Sequence, residues 1–328
     1  MVRSMFAGVA GLRTHQSKLD VIGNNIANVN TWGFKAGAAN FMDSLYTNNT
    51  NSTGGNTAQA GGQGGNNASQ VGYGVQMSSI SRDFSKSTPY QTGKDMDVMI
   101  DGTGFLIVSN SPGNDDPIEA NGEGIIDLKN PGANISFKLS RVGILGVDNE
   151  GYLVDNQKSY IYGYTTSDNG ETFTDSGNAQ SINRLKIPAP DATNIAGFTA
   201  DPKEIGSNGK LILKNYRIMS DGTVVGFTSV TEQKIVLGKI ALANVQNVDG
   251  LESESGYYYQ MGDNSGDCTA AASNGILGNF LSGYLEMPNV DLAKEFSEMI
   301  TTQRGFQANT KVITVTDEML QELVNMKR

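Results

Sequence analysis

Histidine, cysteine and tryptophan are almost missing from this 328-residue chain, which has one of each: His15, Cys268 and Trp32. A lone cysteine makes no internal disulfide. A lone imidazole leaves no second ring for a zinc site, and it would have to serve any Ser-His-Asp arrangement by itself. Charge is also scarce, at 18% of residues, and its balance is acidic, with 24 basic and 34 acidic side chains giving a net −10. A nucleic-acid groove needs clustered Lys and Arg to displace counterions, and no such cluster occurs, so no nucleic-acid partner is expected. No stretch approaches the roughly 20 apolar residues that cross a bilayer, so no membrane span is expected either. Met5–Leu12 follows Arg3 and faintly resembles a secretory leader. Gly8 and Gly11 interrupt it, no small-x-small cleavage site follows, and its hydrophobic spacing continues past Arg13, so it reads as part of a folded helix.

Motifs for chemistry are equally thin. The glycine-rich stretch Gly54–Gly65 lacks the Gly-Lys-Ser/Thr ending and the strand-to-helix setting of a phosphate cradle. Ser207 and Lys210 match Ser-x-x-Lys, but Asn208-Gly209 between them makes a turn. Asp148–Gly151 and Asp263–Asp267 resemble fragments of calcium loops without the spaced oxygen ligands. His15 sits among polar residues and reads as exposed, and nothing beside Cys268 lowers its pKa. No catalytic residue, metal ligand or cofactor site is expected.

What is present is a contrast between ends and middle. Met5, Leu12, Leu19 and Ile26 recur every seven residues, with Ile22 close to the same face, and predict an amphipathic helix. Leu292, Met299, Phe306, Ile313 and Leu320 repeat that interval near the other end, flanked by Phe296. Asn289 and Asp291, just beyond Pro288, are candidate N-caps. The β-branched run Val312–Thr316 favours strand by propensity, and Thr316 is a candidate cap for a separate helix, but the heptad spacing runs through it. Between the ends, Asp101-Gly102, Asn149-Glu150-Gly151, Asp221-Gly222 and Asp249-Gly250 punctuate strand-like runs such as Phe105–Val108, Tyr160–Tyr164 and Ile235–Ala243.

The fold class is therefore α+β. Terminal helices pair as a coiled coil in a discontinuous N- and C-terminal domain, around a mostly-β central body. Four parts are expected: 1–33 with 289–328 as the helix domain; 34–75 as an extended polar linker; 76–164 with 211–288 as the β-rich main domain; and 165–210 as a small insertion or loop subdomain. Thr47–Gln70 contains only Asn, Gly, Thr, Ser, Gln and Ala, which cannot offset the entropy of folding alone. It reads as a flexible linker or as a segment that orders when neighbouring subunits pack on it. The helices need a partner face, and the residues leave two arrangements open: a two-helix hairpin on its own β-domain, or identical copies that complete the burial in an open helical filament.

Asn24, Asn25, Asn28, Thr31, Gly33, Phe34 and Lys35 lie in the stretch Asn24–Lys35, which resembles the N-terminal signature of the bacterial flagellar axial proteins, the rod and hook family. Asn289, Asp291, Leu292, Glu295, Met299, Gln303, Arg304, Phe306 and Asn309 are similar to that family's ending, and Asp97–Phe105 and Val147–Val154 match its interior. The resemblance implies a structural, non-enzymatic subunit, exported through the flagellar type III apparatus without a cleaved signal peptide. It also implies a self-assembling helical homo-oligomer, with other axial proteins (distal rod, hook cap, hook–filament junction) as partners. On that model Met5, Leu12, Leu19, Ile22, Ile26, Leu292, Phe296, Met299, Phe306, Ile313 and Leu320 form the helix seams and subunit interface, and Thr301 and Gln303 are candidate channel-lining residues. Gly222–Gly226, Val236–Asn244 and Leu285 look closest to the hook members of the family, implying an extracellular hook that bends while transmitting torque. The polar segment is similar to the post-helix stretch of straight distal rods, so a basal-body rod subunit is the alternative.

Overall fold

The computed structural model describes residues 2–55, 64–110, 118–119, 128–129, 136–165, 181–186, 213–228, 233–272 and 277–326. They fall in two compact units. The first comprises Met1–Val29, Lys35–Asp83 and Val290–Arg328, and the second Asn30–Phe34 with Phe84–Asn289.

In the first unit, helix α1 (Val2–Ala27) is followed by strands β1 (Gly37–Asp43), β2 (Tyr46–Thr50), β3 (Ser69–Gly72) and β4 (Val75–Arg82), and the unit closes with α2 (Leu292–Met326). The α2 helix begins at Asp291, whose Oδ1 accepts from the amides of Ala293 (2.9 Å) and Lys294 (3.3 Å), capping two of the free N–H groups. It runs unbroken through the β-branched stretch. Thr316 does not cap a second helix there; its hydroxyl donates back to the carbonyls of Val312 (3.0 Å) and Ile313 (2.8 Å), so the side chain is satisfied within the helix.

The segment expected as an extended polar linker is instead a paired ribbon. β1 pairs antiparallel with β4, from Gly37 opposite Arg82 to Asp43 opposite Val75, and β2 pairs with β3. An isolated bridge joins Thr53 to Asn66, and residues 56–63 lie outside those described. The pairing uses backbone bonds, supplemented by the Gln70 amide on Asn48 Oδ1 (2.7 Å) and the Asn40 amide on Ser79 and Ser81, so no apolar alternation announces it. A two-stranded ribbon is marginal alone. Its base is secured to α1: the Thr14 hydroxyl reaches Val75 O (3.3 Å), and Gly74, at φ 109°, lies so close that a Cβ there would stand 3.0 Å from Ala7 Cα. The main β-domain accordingly starts after β4 rather than at residue 76.

The second unit contains β5 (Pro89–Gln91), β6 (Val98–Asp101), β7 (Phe105–Ser109), β8 (Ile118–Glu119), β9 (Lys138–Ser140), β10 (Leu145–Val147), β11 (Leu153–Asp155), β12 (Tyr160–Thr165), β13 (Ser181–Arg184), β14 (Leu213–Ile218), β15 (Thr223–Thr228), β16 (Lys234–Val245), β17 (Leu251–Ser253), β18 (Tyr258–Met261), β19 (Cys268–Ala272), β20 (Asn279–Ser282) and β21 (Tyr284–Glu286). A 13-stranded antiparallel sheet follows the path β10-β11-β12-β16-β7-β9-β18-β17, with β5–β21 and β6–β20 as separate ribbons. Both faces of β7 are buried: Leu106 and Val108 enter one core, Phe105 and Ile107 the other. β16 feeds the same two cores, and the register shift opposite Val224/Val225 changes which alternate residues face which: Ile235 and Leu237 join Ile240 and Leu242. Cys268 is fully buried in this body, which removes it from redox chemistry. The Asp221-Gly222 signal is the β14–β15 turn, with Gly222 at φ 81° and its amide on Met219 O (3.0 Å). Of the insertion expected at 165–210, residues 166–180 and 187–210 lie outside those described; Ser181–Arg184 pairs with β12 and β8 and so belongs to the sheet. Among the described residues, no helix is long and apolar enough to cross a membrane.

Candidate assembly interface

Within the first unit, α1 and α2 lie side by side and antiparallel. A methyl at Gly8 would stand 3.3 Å from Ile313 Cγ1, and one at Gly11 would stand 2.6 Å from the Asn309 amide. Further along, Gly305 faces the His15 ring, Lys18 pairs with Glu298 (3.1 Å), and the Asn25 amide meets Glu295 Oε1 (3.2 Å). Four of the expected apolar positions on α2, Met299, Phe306, Ile313 and Leu320, are half-buried along this line. A second row at the same spacing lies beside them and is polar: Glu295, Thr302 and Thr316 are buried and Asn309 is half-buried. On α1, Ile22 is buried and Met5, Leu12, Leu19 and Ile26 are half-buried. Leu292 and Phe296 do not join the seam; they are 41% and 49% exposed.

The rest of α2 carries apolar surface that nothing in the first unit covers. Val312, Val315, Met319 and Leu323 recur at three- and four-residue steps on one exposed face, and α2, with 35 residues, is longer than α1, with 26. Thr301 and Gln303 are both exposed, with the Thr301 hydroxyl bonded to Glu298 O (2.9 Å). Two residues apart on a helix, they point about 200° from one another, and Thr301 shares its side with Met319. Arg304 is exposed and bonds Gln307 (3.2 Å).

The N-terminal motif divides between the two units. In the first, the buried Asn25 amide donates to Gly37 O (2.9 Å) and its oxygen accepts from Gly37 N (2.9 Å), so one side chain imitates a strand partner for β1 while its second donor reaches Glu295. The Asn28 amide bonds Asn24, which is exposed, and Lys35 is 2% exposed. In the second, Phe34 N returns to Thr31 O (3.2 Å), Gly33 N donates to Glu286 O (2.9 Å), and Asn289 N reaches Phe34 O (3.4 Å). Gly33 sits at φ 64°, where a Cβ would also stand 2.9 Å from Val142 Cγ2. Gly33→Ala is therefore expected to cost about 1–3 kcal/mol, read as an earlier denaturation midpoint by the fluorescence of Trp32, which packs on Tyr90 at 5.3 Å.

Beside that turn lies a pair the sequence did not disclose. Arg141 and Glu286, 2% and 1% exposed at their side chains, face each other at 3.5 Å. The guanidinium also donates to Gly102 O (2.8 Å) and Gly104 O (2.6 Å) and lies over the Phe105 ring, while Glu286 Oε1 accepts from Ser87 N (3.2 Å). Burial lowers the Arg141 pKa, and the charges of Glu286 and Tyr259 oppose that shift. A charged residue inside Tyr284-Leu285-Glu286 was the available signal, but its partner lies far away in sequence.

Residues 281–326 match the family described as flagellar basal body rod FlgEFG protein C-terminal, and residues 5–35 match the one described as flagella basal body rod protein. Over 330 positions, covering all of both chains, the protein is 34% identical to the flagellar basal-body rod protein FlgG of Bacillus subtilis (strain 168). The chain belongs to the flagellar rod and hook family. Hook proteins of that family are similar as well. The flagellar hook protein FlgE of Borreliella burgdorferi is 30% identical over 447 positions with full coverage of both chains, and that of Escherichia coli (strain K12) is 26% identical over 418 positions, covering 97% of this chain and 98% of the relative. The rod and hook family models fall on the segments that build α1 and α2, and the two helices meet in one unit.

Proposed function

We propose that the protein is a structural, non-enzymatic subunit of the flagellar hook, assembling with its own copies into a flexible tubular polymer that transmits torque and encloses the export channel. The observation that carries the assembly reading is the uncovered apolar face of α2, Val312, Val315, Met319 and Leu323, on a helix whose other face is already packed against α1. In water such a stripe calls for a second helical surface, and a neighbouring copy supplies one repeatedly. The α1–α2 seam then acts as a coiled coil within each subunit. Thr301, on the side of Met319, falls toward neighbouring copies, which leaves Gln303 as the channel-lining residue. The hook rather than the rod is supported by the strand pair β15–β16, whose Gly222–Gly226 and Val236–Asn244 resemble hook members and form the buried centre of the second unit. The subunit leaves the cell through the flagellar type III apparatus without a cleaved signal and meets the distal rod, the hook cap and the hook–filament junction.

A distal rod subunit is the second reading, favoured by the Bacillus subtilis relative named as a rod protein and by the β1–β4 ribbon, a stiffer element than a linker. Electron microscopy of basal structures from cells deleted for the gene separates the two. Straight, complete rods that end without a hook are the expected result, whereas rods truncated inside the envelope would establish the rod subunit instead.

A further inference from the structure

The only histidine of the chain is not on the surface where the sequence placed it. His15 lies half-buried among three elements of the first unit. Its ring faces Gly305 of α2 so closely that a Cβ there would stand 2.8 Å from Cε1 and Nε2, and it meets the Phe41 ring of β1 edge-on at 5.7 Å. Its Nδ1 is buried and has no hydrogen-bond partner among the described residues. A neutral imidazole tolerates that setting; an imidazolium would bury a donor with nothing to receive it.

The charges around the ring do not help a proton to stay. On α1, Lys18 stands one turn away and disfavours a second cation. From α2 come Glu298, already paired with Lys18, and Arg304, turned to Gln307. β1 carries Asp43, which engages the Tyr46 hydroxyl, and β4 carries Arg82 opposite Gly37, at the other end of the ladder from the ring. We propose that His15 is an acid-sensitive joint of the helix unit: proton uptake on its ring loosens the α1–α2–β1 junction, so mild acid opens the terminal helices. The inference rests on the fold of the first unit alone and needs neither the hook nor the rod reading.

Burial first, and Lys18 second, hold the ring's pKa below its ordinary 6.5. The unfolded chain therefore binds the proton more readily, so the contribution of the neutral ring to the unit's stability is full above pH 6.5 and is lost as pH falls through the folded value. The test uses the purified full chain. Its α-helices among the described residues both belong to the first unit, so the helical circular dichroism signal reports that unit selectively. Between pH 7.5 and 5.0, above the ordinary carboxylate range, the wild type is expected to lose helical signal while His15→Gln stays flat. Because there is one histidine, its imidazole resonance needs no assignment. It should titrate below 6.5 and move upward in Lys18→Gln. Identical acid profiles for wild type and His15→Gln, or a titration at 6.5 or above, would overturn the proposal.

Discussion

Replacing Glu286 by alanine is expected to destabilise the second unit by about 3–5 kcal/mol, the range for breaking a buried ion pair on one side only. The cost comes from what remains: Arg141, 2% exposed at its side chain, keeps its charge in a site where burial already opposes it and Glu286 helps to sustain it. Ser87 N would lose its acceptor as well. Chemical denaturation of the full chain followed by Trp32 fluorescence should show a lower midpoint with an unchanged slope. Glu286→Leu combined with Arg141→Met removes both charges and should recover part of the loss, though not all, because the carbonyls of Gly102 and Gly104 lose their donor. If the double variant is worse than the sum of the single ones, the desolvation account is wrong.

In the first unit the largest effect should come from Asn25→Asp. The new carboxylate still accepts from Gly37 N, but it no longer donates to Gly37 O or to Glu295, and it faces the Glu295 carboxylate across what was a 3.2 Å hydrogen bond. We expect a loss of about 2–4 kcal/mol at pH 7 from two forfeited bonds and a new like-charge contact. Two carboxylates sharing a site raise one pKa above its unfolded value, so the variant's deficit should shrink as acid protonates the pair and grow as pH rises. Asn25→Ala loses the same donors without adding a charge, so its deficit should vary less with pH than that of the Asp variant. Thermal melts of the helical signal, each variant taken relative to wild type at the same pH, separate the two. Parallel pH profiles for Asp and Ala would show that the Glu295 contact carries no weight.

The heptad rows through Met299, Phe306, Ile313 and Leu320 were legible because burial of apolar side chains writes its period into the sequence. The parallel row of Glu295, Thr302, Asn309 and Thr316 has the same period, yet an apolar scan passes over it. Turn signals marked the β-body well where Gly must take a positive φ, as at Gly151 and Gly222. The β2–β3 part of the ribbon was not legible, since its pairing is made by backbone groups and amide side chains on strands exposed almost throughout. The split of the N-terminal motif between two units was also hidden. Asn25 and Gly33 are eight positions apart, but each is required by a partner distant in sequence, Glu295 for one and Val142 for the other.

The meeting of α1 and α2 joins the chain across everything between Ala27 and Leu292. In polymer terms the first unit is a clasp closed on a very long loop, and the entropy of closing a loop rises only with the logarithm of its length. Lengthening the intervening chain by a hundred residues costs such a clasp no more than roughly a few tenths of a kcal/mol, even without structure in the addition. The alignment to the Borreliella burgdorferi hook protein extends to 447 positions, far beyond the length of this chain, while all of this chain is aligned. Loop closure thus leaves the helix clasp nearly indifferent to the length of chain it encloses.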